Sequence, residues 1–156
     1  MKEVYDLEAK RLNLVFFGSQ ESTGSAEGTA REKDIKAIDE IIEAVAGAKK
    51  PFELKYRIGK KGEKSRPILI LMPNSADKEI VLSKAKSLGA NPQWKKVFIK
   101  QDLTQNQREF IRRQDEELAA IAESRNAELK NEEEWRWAIR GRGTQRHLAK
   151  IKSTQA

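Results

Sequence analysis

Two apolar, β-rich runs constrain this chain more than any other feature. They are Asn13-Leu14-Val15-Phe16-Phe17 and, after Pro67, Ile68-Leu69-Ile70-Leu71-Met72. Each precedes a segment with helical spacing and then a further strand-like segment. Gly18 ends the first run, and SQESTGSAEGTA (19–30) reads as a loop from its Gly, Ser and Thr content. REKDIKAIDEIIEAVAG (31–47) then places Ile35, Ile38, Ile42 and Val45 at helical intervals and closes on Gly47. FELKYRI (52–58) alternates Phe52, Leu54, Tyr56 and Ile58 as a strand does. After the second run, Asn74 or Ser75 is placed to cap a helix carrying Ile80, Val81, Leu82, Ala85 and Leu88, with Gly89 as its stop. KKVFIK (95–100) supplies a fourth strand.

The order strand, helix, strand, strand, helix, strand predicts an α+β fold over residues 13–101. It is the order of a ferredoxin-like, RRM-like βαββαβ sandwich, with both helices on one face of a four-stranded antiparallel sheet. The other face is open to a ligand. Leu14 and Phe16 are expected to face the helices, leaving Val15 and Phe17 outward. In the run at 68–72, Leu69 and Leu71 are expected inward and Ile68 and Ile70 outward. Phe17 is then the one outward aromatic of the two central strands, near a strand end. RNA-recognition domains stack bases on aromatics of those strands, so stacking on the open sheet is poorly provided for.

Residues 1–12 form a helical lead-in, with Val4 and Leu7 on one side; it fits either an N-terminal cap or the end of a longer coiled coil. Residues 102–156 read as a small C-terminal domain. Thr104 and Gln107 make a T-x-x-Q capping box that starts a helix from about Gln105 to about Asn131. Its apolar residues, Phe110, Ile111, Leu118 and Ile121, form only a narrow stripe. Trp135, Trp137 and Ile139 then alternate as a strand, and Gly141-Arg142-Gly143 turns the chain into a short returning strand. Both tryptophans share one strand face, which favours packing on the long helix over exposure.

With 156 residues the chain suits one compact domain with an appendage. The net charge is +7, and its distribution is uneven. Residues 1–50 carry 8 basic and 10 acidic side chains, residues 51–100 carry 12 and 4, and beyond Glu134 there are six basic residues and no acid. Two basic zones point to a polyanionic partner, against the plainer reading of a well-solvated surface. No cysteine is present, which excludes disulfides, thiolate metal sites and cysteine nucleophiles. The single histidine, His147, reads as a surface residue rather than a ligand or base. No apolar run reaches the roughly 20 residues of a membrane span, and MKEVYDLEAK is too charged for a signal peptide. These features lead to the expectation of an intracellular protein.

GKKGEKS (59–65) has the look of a phosphate-gripping loop, but the spacing is wrong. A nucleotide P-loop needs G-x-x-x-x-G-K-[ST] followed by a helix. Here the glycines are three apart, Glu63 precedes Lys64, and a strand follows Pro67. The segment reads instead as a flexible hairpin loop. Lys55, Arg57, Lys60, Lys61, Lys64 and Arg66 surround the one acid, Glu63, and each cation near a phosphate releases counterions. A second set, Arg136, Arg140, Arg142 and Arg146, interleaves with or follows Trp135 and Trp137, a pattern suited to single-stranded nucleic acid. Several carboxylates are present, among them Asp102 and Glu132 to Glu134, but none has a second chemical partner suggesting a catalytic pair. Asp102 is expected to support the N-terminus of the long helix. No cofactor is implied.

NLVFFGSQE, KYRIG, SRPILILMPNSADKEIVLSKAK and VFIKQDLTQNQREFIRR, in that order, resemble the RNA-binding protein encoded by the first reading frame of LINE-type retrotransposons. The matching positions are Asn13, Leu14, Gly18, Glu21, Arg57, Arg66, Pro67, Lys78, Leu82, Asp102, Leu103 and Thr104, across about residues 10 to 115 and more loosely to 148. The resemblance implies an atypical RNA-recognition domain followed by a small C-terminal domain. It also implies a homotrimer formed through an N-terminal coiled coil and a nucleic-acid chaperone role in cytoplasmic or nuclear ribonucleoprotein particles. It carries Arg57 and Arg66 over as RNA-contacting. Arg112 and Arg113 fall near the family's arginines after D-L-[ST], and Arg108 on the same helix is a further candidate nucleic-acid contact. Tyr56 departs from a histidine common in the family, and the C-terminal part is shorter and more charged. Two other readings stand beside non-catalytic RNA and single-stranded nucleic-acid binding: an oligomerisation or protein-interaction module, and an enzyme such as a small phosphatase on the same scaffold.

Overall fold

The computed structural model describes residues 2–24, 26–129, 135–141 and 146–152. The chain divides into two compact units, residues 1–103 and 104–156. The described elements make an α+β protein with four α-helices, two antiparallel sheets and a long C-terminal helix.

The first unit opens with α1 (Lys2–Lys10) and β1 (Asn13–Phe17). Then follow α2 (Glu27–Ala46), β2 (Glu53–Arg57), β3 (Ile68–Leu71), α3 (Ser75–Lys84) and β4 (Phe98–Gln101). Helix α3 tightens into a 3-10 helix over Ala85–Ala90, so the α-helix ends before Gly89. The four strands lie in the order β2-β3-β1-β4, all neighbours antiparallel. Helix α2 starts inside the stretch expected as loop. Gly28 and Thr29 are weak helix formers, each at a cost of up to about 1 kcal/mol, and Arg31 in the second turn ties the helix to β2 through the carbonyls of Leu54 and Lys55. Gly47 adopts the left-handed conformation (φ 76°) that ends α2, its N–H donating to the Glu43 carbonyl. Asn74 caps α3, its side chain accepting from the Asp77 N–H at 2.8 Å.

The core lies between the sheet and α2 with α3. Leu14, Phe16, Ile68 and Ile70 reach it from the central strands, and Ile38, Ile41 and Ile42 from α2. Each fully buried side chain of this size contributes roughly 1.5–3 kcal/mol. Ile35, expected among the buried residues, is exposed, and Ile41 takes its place.

The parity of β3 is the reverse of that expected. Ile68 and Ile70 are fully buried against the helices, and Leu69 and Leu71 lie on the other face. Residues directly opposite in an antiparallel pair share a face, and the register pairs Leu14 with Ile70 and Phe16 with Ile68. A run apolar at every position has no alternation from which to read this. The expected single-faced alternation of 52–58 also fails. A register shift between Leu54 and Tyr56 leaves Leu54 inward, turns Tyr56 outward and sends Arg57 to the helix side.

In the second unit, Thr104 starts α4 (Gln105–Glu128) with the expected capping box: its hydroxyl accepts from the Gln107 N–H, and the Gln107 side chain accepts from the Thr104 N–H. Strands β5 (Trp135–Arg140) and β6 (His147–Lys152) pair as an antiparallel hairpin. Asn126 of α4 brackets the Trp137 backbone, accepting from its N–H at 2.6 Å and donating to its carbonyl at 3.0 Å. The Arg125 guanidinium lies 4.4 Å from the Trp137 ring centroid. Of the expected helix stripe, Ile111 and Leu118 are half-buried together with a buried Ala122, whereas Phe110 and Ile121 are exposed.

Candidate nucleic-acid interface

The hairpin loop between β2 and β3 is anchored by arginine. The Arg57 guanidinium, its side chain only 6% exposed, pairs with Asp34 of α2 through both carboxylate oxygens, at 2.9 and 2.7 Å. Its remaining donors reach the carbonyls of Ser19, Gln20 and Arg66 at 3.1, 3.1 and 2.6 Å. Arg66 donates twice to one oxygen of Glu21, at 2.8 and 2.6 Å, and once to the Gly59 carbonyl at 3.0 Å. The Glu21 N–H donates to Ser65 Oγ at 2.9 Å. One network therefore joins the loop after β1, the first half of α2 and both ends of the β2–β3 loop. Hydrogen bonds from Arg66, then the charges of Arg66 and Arg57, hold the Glu21 carboxyl below its ordinary range against the opposing effect of burial.

The lysines of the same loop behave differently. Lys60, Lys61 and Lys64 are exposed and have no acidic or hydrogen-bonding partner among the described residues. Lys55 lies 3.9 Å from Glu53, a weak surface pair. The structure thus brings together the six expected cations of 55–66 but divides them: the two arginines brace the loop and the lysines extend from it.

The second expected set lies in the second unit. Arg146 forms a fork on Asp115, at 2.7 and 2.8 Å, which lowers the Asp115 carboxyl below its ordinary range and raises the guanidinium. Arg112 pairs with Glu116 one turn along α4 at 2.8 Å, and Arg140 donates to the Ile139 carbonyl. Arg108, Arg113 and Arg136 are exposed. Arg142 lies outside the described residues, as do Glu132 to Glu134. Asp102 accepts from the Asn13 side chain at 2.9 Å and lies 3.8 Å from Lys10, so it joins the end of α1 to β1. Lys78 donates to the Arg11 carbonyl at the same junction.

The open sheet face carries more aromatics than the two central strands supply. The edge strands add Tyr56 and Phe98, each 60% exposed, to Phe17 at 36%. Phe17 and Phe98 are direct cross-strand partners. Tyr56, Leu69, Val15 and Lys100 form one row across all four strands, and Leu69 and Val15 within it are buried. The Lys100 ammonium lies 5.5 Å from the Phe17 ring centroid.

Among the described residues no group of three or more His, Asp or Glu is arranged to hold a metal ion, and no helix is long and apolar enough to cross a membrane. No family model, curated protein or solved structure matches the chain.

Proposed function

We propose that the protein is a non-catalytic RNA- and single-stranded nucleic-acid-binding protein, a ribonucleoprotein component with a chaperone role of the kind its sequence resemblance to LINE first-frame proteins implies. We read its first unit as a ferredoxin-like, RRM-like domain. The antiparallel order β2-β3-β1-β4, with α2 after β1 and α3 after β3, supports that reading. The observation that carries the functional reading is the β2–β3 loop, whose Lys60, Lys61 and Lys64, without a partner among the described residues, extend from a base braced by Arg57 and Arg66. A braced loop of unpaired ammonium groups suits a phosphate backbone, since each contact releases condensed counterions without requiring sequence readout. In this reading Lys55, Lys60, Lys61 and Lys64 contact phosphate, whereas Arg57 and Arg66 position the loop.

The test is the salt dependence of binding to labelled single-stranded RNA. Changing Lys60, Lys61 and Lys64 together to Gln is expected to reduce the slope of log K against log salt by about 2, at roughly 0.7 for each lost phosphate contact. An unchanged slope, or no binding by the unaltered protein, refutes the proposal.

A second reading, an assembly module, is favoured by α1, where Val4, Tyr5 and Leu7 are 63%, 69% and 37% exposed. Light scattering of a chain extended at its N-terminus tests it. A stable oligomer without nucleic-acid affinity supports this reading over the first.

A further inference from the structure

We propose that the turn before β4 is a second phosphate-binding element. Lys95 and Lys96 continue the cationic track of the β2–β3 loop along the end of the sheet, so that one nucleic-acid strand is held by its backbone at both places. The inference rests on the nucleic-acid-binding reading above and extends its contact surface to lysines outside the loop.

Between Ile80 and Ile99 the chain carries Lys84, Lys86, Lys95 and Lys96 and no acid. All four are exposed, and their ammonium groups have no acidic or hydrogen-bonding partner among the described residues. Such charges keep their full field for a polyanion. The turn that presents Lys95 and Lys96 is anchored on both sides. Leu88 and Val97 are buried, and Trp94 packs against the same core. The N–H groups of Asn91, Trp94 and Val97 donate to the carbonyls of Leu88, Asn91 and Trp94 at 3.1, 3.2 and 2.9 Å. The two lysines therefore leave from backbone that is already fixed, and binding has only their side chains to order.

The register places this turn beside the loop. β3 begins at Ile68, opposite Phe16, and β4 begins at Phe98, opposite Phe17, so the β2–β3 loop and the turn emerge at one end of the sheet. The segment from Gly18 to Glu21 joins them. Gly18 lies against the Lys96 backbone, where a Cβ would be 2.0 Å from the carbonyl oxygen, and the Glu21 N–H donates to Ser65, the neighbour of Lys64. Three Cα steps cover at most about 11 Å. Glu21, the acid within that span, is paired with Arg66 at 2.6 Å. Lysines on both sides of a neutralised crossing suit a chain that carries a charge at every nucleotide.

The experiment measures the salt dependence of binding to a labelled single-stranded RNA decamer. Lys95→Gln with Lys96→Gln is expected to lower the slope of log K against log salt by about 1.4, two phosphate contacts at roughly 0.7 each. Lys95→Arg with Lys96→Arg keeps the charge and is expected to keep the slope. Lys36→Gln with Lys49→Gln removes the same charge from exposed positions on and just after α2, and is expected to leave the slope unchanged. Titration is expected to give one decamer per protein. An unchanged slope in the Lys95, Lys96 glutamine variant overturns the proposal, as does an equal fall in the α2 control, which would make the effect one of total charge. A slope lost in the arginine variant, or two decamers bound at separate sites, also overturns it. Displacement of the RNA by an oligoglutamate of equal charge at equal concentration overturns the assignment to nucleic acid. If Lys60, Lys61 and Lys64 set the slope and Lys95 and Lys96 do not, the track fails but the loop reading stands, whereas no RNA binding by the unaltered protein removes both.

Discussion

Arg57 is where the structure makes its sharpest energetic statement. Arg57→Met removes a guanidinium that pairs with Asp34 through two bonds and with three backbone carbonyls through three more. Asp34 is 8% exposed, so its carboxylate would be left buried without its partner. Breaking a buried pair from one side costs about 3–5 kcal/mol, a large share of the roughly 5–15 kcal/mol by which a domain is stable. The carbonyls of Ser19, Gln20 and Arg66 lose their donor as well, although those nearest the surface regain water. Urea unfolding of Arg57→Met is therefore expected to show a midpoint lowered by that cost divided by the m-value, with the m-value itself unchanged. Asp34→Leu alone is expected to be comparably harmful, because it leaves a buried guanidinium half-paired. The double variant Asp34→Leu, Arg57→Met removes both charges. Its cost is expected to fall short of the sum of the single costs by about 2–3 kcal/mol. A cost below about 1 kcal/mol for Arg57→Met, or strict additivity in the cycle, would refute the bracing role. If Arg57→Met also lost RNA affinity at full stability, Arg57 would be a direct contact after all.

Two further outcomes follow from the same region. Gly18 has φ +83°, and a Cβ there would lie 2.0 Å from the Lys96 carbonyl oxygen, backbone that cannot swing aside. Gly18→Ala is expected to cost more than about 2 kcal/mol in urea unfolding, and a loss under about 0.5 kcal/mol would contradict the close approach of the loop after β1 to the start of β4. Glu21 has its folded pKa held below the ordinary 4.5 by Arg66 and Arg57. Its contribution is complete above the unfolded value and is lost as the pH falls through the depressed folded value. Stability measured from about pH 6 down to about pH 3 should decline less steeply in Glu21→Gln, which starts lower, and parallel curves would exclude this linkage.

Much of the element order was legible because it depends on local chemistry. The Thr104–Gln107 capping box, the Asn74 cap and the Gly47 stop act over a few residues and appear where the sequence placed them. The parity of β1 was read correctly, Leu14 and Phe16 facing the helices, but that of β2 and β3 was not legible. ILIL offers no polar position to mark a face, and the bulge after Leu54 reverses the alternation through pairing with β3, a partner more than ten residues away. Helix α2 began earlier than its composition implied, because the tie from Arg31 to β2 outweighs the weak propensities of Gly28 and Thr29. The aromatic face was hidden for the same reason as the parity: Tyr56 and Phe98 sit on edge strands whose orientation only the register decides.

The basic zone shows how far a charge count can go. Six cations between Lys55 and Arg66 look equivalent in the sequence, yet the fold sorts them by residue type. Arg31, Arg57, Arg66 and Arg146 each satisfy two or more acceptors within the protein, whereas Lys60, Lys61 and Lys64 satisfy none among the described residues. A planar guanidinium carries five donors in a fixed fork and is weakly hydrated, so it can replace water at clustered carbonyls and carboxylates at low cost. An ammonium is a strongly hydrated point charge that gains less by leaving water. Asp34 and Glu21 lie 23 and 45 residues from the arginines they hold, so their pairing could not be read from local spacing. The difference between the two cations could, and it assigns the bracing of the loop to its arginines and, in the function proposed above, the phosphate contacts to its lysines.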